Sequence, residues 1–159
     1  MKKSSVIFLK VVILIFGLGV LALMLWEPHL EGRNADATAV QIYFHDPFLA
    51  YAYFASIPFF VALFQALKLL GHIGKNRVFS LDSVRALRVI KYCATALIVL
   101  IALPEAYLLI VRPEDDIAGG VMLGAAMIFL SAVAAIAASV LEKLLQSAVD
   151  MKSENDLTI

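Results

Sequence analysis

Tyr92-Cys93-Ala94-Thr95-Ala96-Leu97-Ile98-Val99-Leu100-Ile101-Ala102-Leu103-Pro104-Glu105-Ala106-Tyr107-Leu108-Leu109-Ile110-Val111 holds one charged side chain in twenty residues. As a helix rising 1.5 Å per residue it covers about 30 Å, the thickness of a bilayer's hydrocarbon layer. Lys91 stands directly before it and Arg112-Pro113-Glu114 directly after. The stretch reads as a membrane span. Outward from it, three more apolar runs of similar length occupy 6–26, 47–70 and 117–141.

Composition agrees. Of the 159 residues, 62% are hydrophobic and 16% charged, too few charges to clothe a water-facing globule. The formal net charge of zero argues against direct nucleic-acid binding. A single cysteine, Cys93, excludes an internal disulfide. The fold class expected is all-α: one integral membrane domain over 1–159, built as a four-helix transmembrane bundle.

The charges between the runs alternate in sign. Lys2, Lys3 and Lys10 open the chain, Lys68, Lys75, Arg77, Arg85, Arg88 and Lys91 lie around the second connection, and Lys143 and Lys152 follow the last run. The first connection carries Glu27, Glu31, Asp36 and Asp46 against Arg33, and the third carries Glu114, Asp115 and Asp116 beside Arg112. With both termini cytoplasmic, eleven of the 13 basic residues lie inside, so the positive-inside rule selects that topology. The first run is longer than a signal-peptide core, and Leu25-Trp26-Glu27-Pro28 offers no small-residue cleavage site, so it is expected to stay as a span.

Helix punctuation is readable. Asp46-Pro47 opens the second span as cap and first helical residue. Gly71 and Gly74 are expected to end it in a turn-forming run, Gly71-His72-Ile73-Gly74-Lys75-Asn76. Ser80 is expected to cap a basic helix start at 80–91, with Val84, Leu87 and Ile90 at helical spacing, running directly into the third span. A cytoplasmic tail at 142–159 continues helically to Val149 and then turns polar. Trp26, Tyr43, Phe44, Phe48, Tyr51 and Tyr53 gather near the outer interface, where amphipathic rings prefer to sit.

Glu105 is the intramembrane polar candidate, with Arg112 two helical turns away on a similar face. A carboxylate deep in a bilayer costs on the order of 3 kcal/mol, so it asks for a partner, a proton or a cation. Pro58 and Pro104 each remove a backbone donor and free the carbonyl four residues earlier, those of Phe54 and Leu100. Ser56 stands ready to help satisfy the first. Gly120 and Gly124 form a GxxxG, extended by Ser131, Ala135 and Ser139, and are expected to form a helix-packing face. The outer residues Glu27, His29, Glu31, His45 and Asp46 lack the spacing of metal ligands. Neither a Ser-His-Asp nor a Cys-His arrangement is readable, and no phosphate-cradling glycine loop occurs. The sequence therefore points to no enzyme, no cofactor and no metal.

Two stretches carry a resemblance. Asn76-Arg77-Val78-Phe79-Ser80, with Ser83-Val84, Leu87 and Ile90-Lys91-Tyr92-Cys93 following, is one. The closing Leu144-Leu145-Gln146-Ser147-Ala148-Val149-Asp150-Met151-Lys152-Ser153-Glu154-Asn155-Asp156-Leu157-Thr158-Ile159 is the other. Through them the whole chain resembles the YoaS-like family of small bacterial four-span membrane proteins, a domain of unknown function. The resemblance implies a bacterial cytoplasmic membrane protein. It also implies a neighbouring small helix-turn-helix regulator, hence a membrane partner or sensor for a cytoplasmic DNA-binding protein. It supplies no catalytic residues.

Three readings compete. In the first, a regulator docks on the cytoplasmic face through Arg85, Arg88, Lys91, Glu154, Asn155, Asp156, Leu157 and Ile159. In the second, the chain is a small proton-coupled exporter using Glu105. In the third, it is an assembly subunit of a membrane complex, packing through Gly120 and Gly124. For the basic segment, attraction to anionic lipid of the surrounding bilayer is the default explanation.

Overall fold

A computed structural model of the chain describes residues 3–30, 47–111 and 118–156. They form four helices: α1 (Lys3–Leu30), α2 (Pro47–Gly74), α3 (Leu81–Val111) and α4 (Ala118–Asp156). Among the described residues there is no strand. All four are long and apolar enough to cross a membrane. Their apolar residues are not gathered inside: Phe8, Ile15, Leu23, Ile110, Phe129 and Ile136 are among many that stay exposed. Apolar surface on that scale needs a nonaqueous surround, which a bilayer supplies.

The helices pack in chain order. The α3–α4 contact is the most extensive, α2–α3 comes next and α1–α2 is the slightest. Most of the buried residues collect toward one end, where α1 and α3 begin and α2 and α4 finish; Gly124 is buried away from it. Val6, Ser83, Val84, Ala86, Leu87, Ala94, Ala138 and Glu142 make up this core. Because the basic residues also lie there, it is termed the basic end. Elsewhere contact is thinner and relies on small residues. Leu63 meets α1 at Gly17, and Phe16 stands edge-on to Phe59 with ring centres 5.9 Å apart.

The α2–α3 connection differs from the expectation in one respect. The helix runs through Gly71 and ends at Gly74, yet neither glycine has a positive φ. The left-handed residue is Asn76, at φ 56°. Arg77 N–H donates to His72 O at 2.9 Å and Asn76 N–H to Ile73 O at 3.1 Å. These 6→1 and 5→2 bonds are a Schellman motif, with asparagine in the place glycine more often takes. Asparagine tolerates the left-handed region better than other side chains do.

Ser80 caps α3 as its sequence position foretells. Its Oγ accepts the Ser83 N–H at 3.3 Å, and its own carbonyl accepts from Val84 N at 3.2 Å. From that cap α3 runs unbroken into the apolar stretch that ends at Val111. α4 likewise continues as helix to Asp156 rather than ending near Val149. Glu142 to Asp156 then covers about 22 Å beyond the apolar run, with Glu142 set against Arg88 and Lys91 in the first turns of α3.

Candidate functional site

Two places hold polar chemistry: the basic end, and a single carboxyl far from it.

At the basic end Glu142 projects from α4 onto α3. Arg88 Nε donates to its Oε1 at 2.6 Å and Lys91 Nζ to its Oε2 at 2.7 Å. Arg88 and Lys91 lie three residues apart on one face of α3, so one carboxylate reaches both. Glu142 is 7% exposed, which makes it a buried acid with both oxygens satisfied. Hydrogen bonds from Lys91 and then Arg88 hold its carboxyl below the usual carboxylate range. The same contact lifts the Arg88 guanidinium above its ordinary value. Lys91 also stands 5.0 Å from the centre of the Tyr92 ring. Arg85, by contrast, meets only Asp82 at 3.9 Å, with both side chains mostly in solvent.

A second polar knot ties α2 to α3 beneath this clamp. The fully buried Ser83 Oγ lies 3.1 Å from His72 Nδ1 and 3.1 Å from Ser80 Oγ. Ser80 Oγ also donates to Arg77 O at 3.0 Å. A connection of six residues is thus fixed at both its ends.

The expected docking residues divide accordingly. Arg88 and Lys91 already have Glu142 as partner, while Arg85 keeps its charge outward. Glu154 and Asn155 lie exposed in the last turn of α4, and Asp156 ends that helix. Leu157 and Ile159 lie outside the described residues.

The other place is Glu105. Its side chain leans from α3 against Gly124 of α4, so close that a β-carbon there would overlap the carboxyl. Its Oε1 is sealed from solvent and has no hydrogen-bond partner. Arg112, the partner expected for it, lies outside the described residues, as do Glu31, His45, Asp46 and the side chains of Glu27 and His29. Of the small residues on α4, Gly124 is buried, and Ser131, Ala135 and Ser139 are half-buried. Gly120 is exposed, and nothing would touch a β-carbon built on it. Only half of the GxxxG faces a neighbouring helix.

Residues that sequence reasoning passed over do much of the joining. Tyr51 Oη donates to Leu100 O at 2.7 Å, and Tyr53 Oη donates to Met24 O at 2.6 Å. Leu100 lies four residues before Pro104, and Met24 four before Pro28, so both carbonyls lack their helical donor. The two tyrosines, about 200° apart around α2, serve one neighbouring helix each. Ser56 does not serve the Phe54 carbonyl; its hydroxyl donates to Tyr53 O at 2.7 Å. The missed signal was a tyrosine near a helix whose own proline leaves a carbonyl open. Glu142 was missed because only the α3–α4 register brings it to Arg88 and Lys91.

Among the described residues no three His, Cys, Asp or Glu side chains gather as metal ligands would. Four apolar helices with lipid-compatible outer faces define a multi-pass, helical membrane protein. The family described as "Protein of unknown function (DUF2975)" matches residues 29–159, and the chain belongs to that family. It is also 41% identical over 160 residues to a Bacillus subtilis (strain 168) protein, "Uncharacterized membrane protein YoaS", with 100% of each chain covered. No solved structure matches.

Proposed function

We propose that the chain is a non-enzymatic membrane partner whose basic end faces the cytoplasm and docks a cytoplasmic protein. The orientation rests on the positive-inside rule. The partner class rests on the family resemblance, which points to a small helix-turn-helix regulator. One observation carries the reading: five of the buried residues, Ser83, Val84, Ala86, Leu87 and Glu142, lie outside the apolar runs, where Glu142 clamps α4 to Arg88 and Lys91 of α3. Rigid polar structure beyond the bilayer is unnecessary for a chain that only fills a membrane. It suits a binding platform, since a preformed surface loses little entropy on association.

The clamp also sharpens which groups would dock. Arg88 and Lys91 hold α3 to α4, whereas the exposed Arg85 and the segment Glu154, Asn155, Asp156, Leu157 and Ile159 are the groups proposed to contact the partner. Deleting Glu154 to Ile159 should abolish co-purification of the regulator from native membranes in mild detergent, with insertion intact. Undiminished co-purification by that truncated chain would sink the docking role.

A further inference from the structure

Glu105 is, among the described residues, the one charged group of the apolar stretch of α3 from Tyr92 to Val111. Among the described residues, α1 from Val11 to Trp26, α2 from Pro47 to Leu67 and α4 from Ala118 to Leu141 hold no Asp, Glu, Lys, Arg or His. The Tyr51 hydroxyl of α2 is spent on the Leu100 carbonyl. Glu105 Oε1 is nonetheless buried, and no donor reaches it. A carboxyl oxygen shut in an apolar contact without a donor loses its hydration and gains nothing in exchange.

The surroundings leave room for the missing group. Gly124 lets the carboxyl lie flat against α4, with Ile101 Cγ2 3.3 Å from the same point. One turn before Gly124 on α4, Gly120 has open space where a side chain would stand, and so does Gly119. Leu109, Met122 and Leu123 nearby are largely exposed, so this opening gives onto lipid. An inorganic cation is a poor match, because hard cations need several oxygens and the described residues gather no second carboxyl beside Glu105. A hydrogen-bond donor carrying positive charge on an apolar body matches every feature.

We propose that the α3–α4 seam at Glu105 binds a lipid-soluble organic ammonium ion. Its N–H donates to the Glu105 carboxyl, and its hydrocarbon part lies over the open Gly119–Gly120 backbone. The site is separate from the basic end and does not depend on what docks there.

The test uses the full-length protein in lipid nanodiscs and radiolabelled octylammonium, by equilibrium dialysis, with binding to empty nanodiscs subtracted. Saturable binding near one per chain is expected, weakened at least about thirty-fold by Glu105→Gln. Gly120→Leu, which fills the opening and keeps the carboxyl, should weaken it similarly. Octyltrimethylammonium, having charge but no N–H, should bind more weakly than octylammonium. Absence of saturable binding overturns the proposal, as does unchanged affinity in either variant or equal affinity for the two probes. If Glu105→Gln does not fold, as judged by circular dichroism, Gly120→Leu decides alone.

Discussion

The Tyr51 hydroxyl donates a 2.7 Å hydrogen bond to the Leu100 carbonyl, the one that Pro104 leaves without its helical donor. A proline in one helix is thereby compensated by a side chain from the next. Tyr51→Phe should lower the midpoint of thermal unfolding in detergent, at a cost of about 0.6–1.7 kcal/mol, the range for hydrogen bonds within membranes. In a Pro104→Ala background the residue at 104 regains an N–H for Leu100, and Tyr51→Phe should then cost little. Equal costs in both backgrounds would mean that the bond does not compensate the proline.

Tyr53 and Met24 offer the same experiment at the α1–α2 contact, with Pro28→Ala as the background. Tyr53→Phe and Tyr51→Phe act on different helix pairs, so their effects on the unfolding midpoint should add.

Glu142→Gln should lower thermal stability at neutral pH, because the partly exposed Arg88 and Lys91 would lose the carboxylate they share and be left close together as like charges. Since the Glu142 carboxyl is held below the usual carboxylate range, its contribution is complete above the unfolded value and fades as pH falls through the folded one. The wild-type unfolding midpoint should therefore drop between about pH 5 and pH 3. Glu142→Gln should remove part of that slope, and an identical slope in the variant would discard the assignment.

Gly124→Ala and Gly120→Ala separate the two halves of the GxxxG. The first drives a β-carbon into the Glu105 carboxyl and should cost about 1–3 kcal/mol, read as loss of thermal stability. The second meets open space and should be neutral or slightly stabilising. Equal effects would show that the α3–α4 seam is not seated at Gly124.

Asn76→Gly should be tolerated, whereas Asn76→Ala should destabilise the α2–α3 connection by about 1 kcal/mol, since alanine resists the left-handed region. Thermal unfolding of the two variants side by side checks this.

The four spans were legible because an apolar run of bilayer length admits few other readings. The Ser80 cap was legible because it is local chemistry, decided within three residues. What sequence could not display was register. Whether Glu142 meets Arg88, or Glu105 meets Gly124, depends on how two helices slide past each other, and neither helix records that offset. The same holds for Tyr51 and Tyr53, whose aromatic character suggested only an interface. At Asn76 the turn itself was legible, but not which of its residues is left-handed. Gly71 and Gly74 carry the usual sign of a helix end, yet the helix passes through one and stops at the other, and asparagine makes the turn.

The position of α2 between two proline-opened helices bears on how the chain is made. α3 brings to the bilayer a Leu100 carbonyl that no residue of its own helix can satisfy, and its donor lies on the segment synthesised just before it. Lipid supplies no substitute. Insertion therefore favours α2 waiting beside the translocation channel until α3 arrives, so that the two leave for the lipid as a pair. α1, emerging first, keeps its Met24 carbonyl open until Tyr53 follows. The order of synthesis thus coincides with the order in which each defect meets its remedy.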